Sequence, residues 1–144
     1  MPNEHRAYKV IRDNLFRVRP SAHFMRLENI ASPGCPDINI CYEGEEVWIE
    51  CKSLPAGKDF LPTTMVLKNR LRAAQVVWME NRHRSGGRCF VLLEYIYDGI
   101  RFWAIPYEPG IERLTLEELM ARAITVSYRA HWEEWRRFFN RLTE

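Results

Sequence analysis

Three ionisable residues stand out by type and spacing: Asp37, Glu50 and Lys52. They sit in the run Asp37-Ile38-Asn39-Ile40-Cys41-Tyr42-Glu43-Gly44-Glu45-Glu46-Val47-Trp48-Ile49-Glu50-Cys51-Lys52. Two β-rich segments flank a short acidic turn with a glycine, which is the pattern of a hairpin. With the turn centred between Glu43 and Gly44, Ile40 faces Val47, Ile38 faces Ile49 and Asp37 faces Glu50. Alternation then places Ile38, Ile40, Val47, Ile49 and Cys51 on one apolar face. The other face carries Asp37, Asn39, Trp48, Glu50 and Lys52. A slip of one residue would mix the two faces, so the pattern itself selects the register.

In that register the Cβ atoms of Asp37 and Glu50 lie about 5 Å apart. Carboxylates that close repel one another unless positive charge lies between them. Mg²⁺ takes oxygen ligands and is commonly held by one or two carboxylates together with substrate phosphate. A lysine ammonium on the same face can orient a water or stabilise charge building on a phosphate. Carboxylates, metal and lysine together are equipment for hydrolysing a phosphodiester. The plain alternative is a solvated strand face with a surface ion pair. Trp48 on that face and the direct opposition of the two acids argue against it.

These residues need a scaffold, and the sequence predicts one. Tyr8, Ile11, Leu15 and Val18 recur at helical spacing, so a helix is expected over about 3–16, with Asn3 as N-cap. Alternation over 22–27 predicts a strand, and Pro33-Gly34-Cys35-Pro36 a loop. A loop is expected over 53–64. A long helix is then expected over about 66–83, with Leu67, Leu71, Ala74 and Trp78 as its apolar stripe and Gly86-Gly87 as its stop. Residues 88–95 and 100–105 read as strands joined at Asp98-Gly99. A short helix over 115–123 carries a capping box of Thr115 and Glu118. A last helix is expected over about 128–142, with Trp132, Trp135, Phe139 and Leu142 on one stripe. This order predicts an α/β domain whose central mixed sheet is flanked by helices.

The chain has 144 residues, 47% of them hydrophobic and 28% charged, which fits one soluble globular domain spanning 1–144. A net charge of +2 decides little about partners. The four cysteines show no metal-ligand spacing and are expected to be reduced. No apolar run reaches the ~18 residues of a membrane helix. No apolar stretch follows the first residues, so no signal peptide is expected and a cytoplasmic location is. Neither a membrane partner nor a small-molecule cofactor is expected.

Gly34-Cys35-Pro36-Asp37 followed by Glu50-Cys51-Lys52 resembles the signature of the PD-(D/E)xK nucleases. Arg26-Leu27-Glu28-Asn29, the helix with Gln75-Val76-Val77-Trp78, and Gly86-Gly87 extend the resemblance to the VRR-NUC and phage-type branch, relatives of Holliday-junction resolvases. The resemblance covers about residues 4–95. It implies a restriction-endonuclease-like core (about 3–105), with residues 111–144 as a C-terminal helical addition.

It further implies a Mg²⁺-dependent endonuclease acting on DNA, with Mn²⁺ able to substitute. A phage or bacterial setting in replication or recombination goes with it. Asp37 and Glu50 become metal ligands, joined by the Cys51 carbonyl, and Lys52 the catalytic lysine. Gln75 matches the family's helix glutamine, and Glu4 its first-helix glutamate, with Glu28 as a rival. A homodimer is plausible, since one such site cuts one strand. A catalytically silent, nuclease-fold DNA-binding or assembly module is the alternative.

The helical wheel adds a DNA surface: Lys68, Arg72, Gln75, Met79 and Arg82 fall within about 80° of arc. That basic stripe with one amide suits a phosphate backbone, with Arg26 and Asn29 as further contacts. His5, His23, His83 and His131 show no ligand spacing, and Ser53 has no partner base in view. The arginines of the last helix (Arg129, Arg136, Arg137, Arg141) leave a second DNA or partner surface open.

Overall fold

A computed structural model describes residues 4–27, 33–55 and 57–144, with residues 4, 5 and 57 described by backbone alone. Asn3, Glu28 and Asn29 lie outside the described residues. The elements are α1 (Glu4–Val18), β1 (His23–Arg26), β2 (Ile38–Tyr42), β3 (Glu45–Leu54), α2 (Ala73–Arg84), β4 (Arg88–Ile96), β5 (Ile100–Pro106), α3 (Leu116–Arg122), β6 (Ile124–Ser127) and α4 (Trp132–Leu142). The six strands form one sheet in chain order, β1 to β6. Every neighbouring pair is antiparallel except β3 and β4. A parallel pair cannot be closed by a tight turn, so the chain crosses over through α2 between them. The chain is thus an α/β protein with a mixed sheet flanked by helices.

The β2–β3 hairpin has the register its hydrophobic pattern dictates: Ile38 pairs with Ile49 and Ile40 with Val47. Glu43 and Gly44 both take positive φ, the geometry of a two-residue turn that matches strand twist. The apolar face of the hairpin is buried against α1 and α4, whose Ile11, Leu15, Trp135, Phe138, Phe139 and Leu142 share its core. Trp132, expected on that stripe, is 39% exposed instead, and Phe138 takes the buried position. On the opposite face, α2 and α3 cover Leu54, Val91, Leu93, Trp103 and Ile105.

Two elements differ from expectation. The helix expected over 66–83 begins only at Ala73. Arg72 is its extended N-cap, and residues 65–71 form separate turns closed by bonds such as Lys68 N–H to Met65 C=O. Leu67 and Leu71 are buried all the same, because successive turns also bring every fourth residue to one side. The C-terminal segment is not purely helical: Ile124–Ser127 form an edge strand on β5, and the last helix starts at Trp132. Ile124 and Val126 are the inward residues of that strand, and four residues are too few for alternation to announce it. α3 has the expected cap, with Thr115 Oγ1 accepting from Glu118 N–H and the Glu118 carboxylate from Thr115 N–H.

Candidate active site

Asp37 ends the loop entering β2 and is held at both its backbone and its side chain. Its carbonyl accepts the Leu27 N–H at 2.7 Å. Its Oδ2 accepts the Cys51 N–H at 2.9 Å across the hairpin. That bond anchors the carboxylate beside the middle of β3, where Glu50 and Lys52 flank Cys51.

Glu50 is only 2% exposed. Its Oε2 accepts from Gln75 Nε2 at 2.9 Å and lies 3.3 Å from Lys52 Nζ. Its Oε1 is buried with no hydrogen-bond partner among the described residues. Burial raises the Glu50 carboxyl most, the neighbouring Asp37 charge adds to this, and Lys52 opposes it; the net effect pushes it up to about 8. A buried acid this close to another acid is satisfied either by a proton shared between Glu50 and Asp37 or by a bound cation. Among the described residues no third His, Cys, Asp or Glu joins the pair in a ligand cluster. Glu4 starts α1, but its side chain is outside the described atoms, as is all of Glu28.

Gln75 is buried at the third position of α2 and works in two directions. Its amide oxygen accepts the Arg72 N–H at 2.9 Å, capping the helix, while its nitrogen donates to Glu50. The helix start is thereby fixed to the acidic strand. Gly34 permits this closeness: with φ at +84°, it lies where a Cβ would stand 2.0 Å from the Ala74 carbonyl oxygen. The glycine and glutamine of the motif therefore hold one joint from two sides.

The basic stripe does not form as a stripe. Lys68 lies outside the helix, and Gln75 and Met79 point into the core. Arg72 and Lys68 are exposed as separate cations. Arg82 lies against the sheet, its guanidinium 5.0 Å from the Trp48 ring and 4.9 Å from that of Trp78. Trp48 thus covers the polar face, as its position implied. Arg26 stacks on Tyr8 at 4.1 Å, and both line a small cleft with Leu27, Asp37 and Cys51.

Sequence reasoning missed a second buried carboxylate, Glu94, on the opposite face of the sheet. Arg6 of α1 grips it through two bonds, at 2.8 and 3.1 Å, and Ser53 donates at 3.3 Å. The signal was there: a lone glutamate inside the apolar run Cys89–Tyr95. The pair ties α1 to β4, and Ser53 belongs to it rather than to the Lys52 site.

No family model and no curated protein matches the chain. Among solved structures, a Holliday junction resolvase, Hjc of the archaeal hyperthermophile Archaeoglobus fulgidus, aligns with a TM-score of 0.45 and 17% identity. The alignment covers 81% of this chain and 97% of that one. At this distance the chemistry has to be argued from the chain's own residues.

Proposed function

We propose that this chain is a Mg²⁺-dependent endonuclease that hydrolyses phosphodiester bonds in DNA, with a restriction-endonuclease-like core. The observation that carries the reading is the buried Glu50 carboxylate: one oxygen is unsatisfied, Asp37 stands beside it, and Lys52 closes the other side. A solvated strand face would leave such an acid in water. Asp37 and Glu50 are the side chains that hold the metal, with the Cys51 carbonyl as a further oxygen ligand. Once bound, the cation supplies Lewis-acid stabilisation of phosphate charge and a more acidic water.

The chain's own residues supply the rest. Lys52 brings a positive charge to the side of Glu50, where it orients the attacking water and offsets charge on the phosphate. Gln75 holds Oε2 of the Glu50 carboxylate in place and leaves Oε1 without a hydrogen bond among the described residues. The Asp37 bond to the Cys51 amide fixes the other acid. Arg26, Lys68, Arg72 and Arg82 contribute the positive charge that a DNA backbone requires. A single site cuts one strand, so cutting both strands of a junction would take a homodimer. A role in phage or bacterial DNA replication or recombination, inside the cell, belongs to the same reading.

The test is cleavage of labelled linear duplex, single strand, flap and four-way junction with Mg²⁺ or Mn²⁺, beside Lys52→Ala. Metal-dependent cleavage that Lys52→Ala abolishes is expected. Folded wild-type protein that binds these DNAs but cuts none would instead make it a silent DNA-binding module.

A further inference from the structure

A row of aromatic rings continues the face of the sheet that carries Glu50 and Lys52. Lys52 pairs with Leu93 across the parallel β3–β4 joint, and Leu54 pairs with Tyr95. Residues 93 and 95 alternate onto one side, and the ring of Tyr97, the first residue past β4, runs parallel to that of Tyr95, so the row lies beyond Lys52 on the same face. Trp103 is buried at its base. Tyr95 stacks on it with ring centroids 4.4 Å apart and planes 20° apart. Tyr97 lies 6.4 Å from Tyr95 with planes only 5° apart, and is 55% exposed. The row therefore runs from core to solvent as near-parallel plates. Its outer plate lines an open cleft of about 540 Å³ with Lys58, Ile96 and Asp98.

The cleft has the composition of a subsite for an unpaired base. Stacking on an aromatic ring is worth about 1–3 kcal/mol per base and tolerates any sequence, but it needs a free base face. Within a duplex such faces are occupied by neighbouring base pairs. Lys58 adds to the cleft lining the positive charge that a backbone phosphate requires. Asp98 disfavours an anion in contact with it and suits the amino group of a base edge. β4 runs three residues past the level of Lys52, about 10 Å at ~3.3 Å per residue, and Tyr97 follows directly. That is within reach of a strand a few nucleotides from the cut.

We propose that Tyr97, backed by Tyr95 and Trp103 and flanked by Lys58, stacks an unpaired nucleobase of the strand held at Glu50 and Lys52. The enzyme thereby selects DNA with a single-stranded arm. This inference rests on the nuclease reading above.

The test uses the full chain carrying Lys52→Ala, so that binding is measured without cutting. Fluorescence anisotropy compares a blunt duplex, the same duplex with a single-stranded arm, and a single strand. Adding Tyr97→Ala should weaken the armed and single-stranded DNAs by about 5- to 150-fold, the range that 1–3 kcal/mol implies. Blunt-duplex binding should stay within twofold, and Tyr97→Phe should keep wild-type affinity. A 2-aminopurine base in the arm should be quenched on binding, and less so with Tyr97→Ala. Thermal unfolding should show both variants folded, since Tyr97 is a surface residue.

Unchanged arm binding with Tyr97→Ala, or equal loss on blunt duplex, would overturn the proposal. So would dissociation of a dimer by Tyr97→Ala in sedimentation, which would make the row a contact between protein copies. Failure of the nuclease reading looks different: wild-type protein would cut no DNA with any metal, whatever stands at position 97.

Discussion

Replacing Glu50 by glutamine should make the metal-free protein more stable, and by an amount that grows with pH. Glutamine has the shape of the protonated acid and can still accept from Gln75. The carboxyl of Glu50 is pushed up to about 8 in the folded chain, against an ordinary value of 4.5. Between those pH values the folded state keeps a proton that the unfolded state has lost. Folded wild type therefore loses stability as pH rises through that window, by about 1.4 kcal/mol per pH unit. The side chain is almost wholly buried, so solvent screening does little to reduce this. Glu50→Gln should match wild type at pH 5 and exceed it by about 4 kcal/mol at pH 9.

Urea unfolding in EDTA, followed by tryptophan fluorescence at both pH values, measures the difference. The same titration in Mg²⁺ completes the experiment. Metal at a hundredfold excess over its dissociation constant should restore about 2.7 kcal/mol to wild type and nothing to the variant. A stability difference that stays flat with pH would show that Glu50 is not a strained buried acid. A Mg²⁺ effect of equal size in both proteins would show that the metal does not sit on Glu50. Either result would remove the main support for a metal site.

Gln75→Ala breaks the bonds to Glu50 and to the Arg72 amide at once, and should cost about 1–3 kcal/mol in urea unfolding, along with most of the cleavage rate. Gly34→Ala places a methyl group against the Ala74 carbonyl at a backbone angle that suits glycine, so a loss of more than about 1 kcal/mol is expected from the same measurement. Arg6→Ala leaves Glu94 buried and without its main partner, which should cost about 3–5 kcal/mol at neutral pH. The double variant Arg6→Met with Glu94→Leu should recover most of that loss, because it removes the buried charge as well.

Local pattern determined much of this molecule. The hairpin register follows from alternation together with the short Glu43-Gly44 turn, since a slip of one residue would bury charge and expose isoleucine. The opposition of Asp37 and Glu50, the Thr115 cap, the Asp98-Gly99 turn and the strand through Val91 are local in the same sense. So are the apolar positions of α1, where Ile11 and Leu15 are fully buried. Each rests on residues within one element or one tight turn, where geometry leaves few choices.

What the sequence left open depends on packing between distant segments. The pattern Leu67, Leu71, Ala74, Trp78 fits a helix and a chain of turns equally well. The choice fell to the joint where Gln75 caps Arg72 while holding Glu50, 25 residues away. The same joint turns Gln75 inward, which dissolves the basic stripe drawn on an isolated wheel. The edge strand Ile124–Ser127 exists because β5 offers it a partner. Glu94 is tolerated in an apolar strand because Arg6, 88 residues earlier, folds against it. In each case the deciding interaction joins residues that only the tertiary fold brings together, and burial gives that interaction its strength.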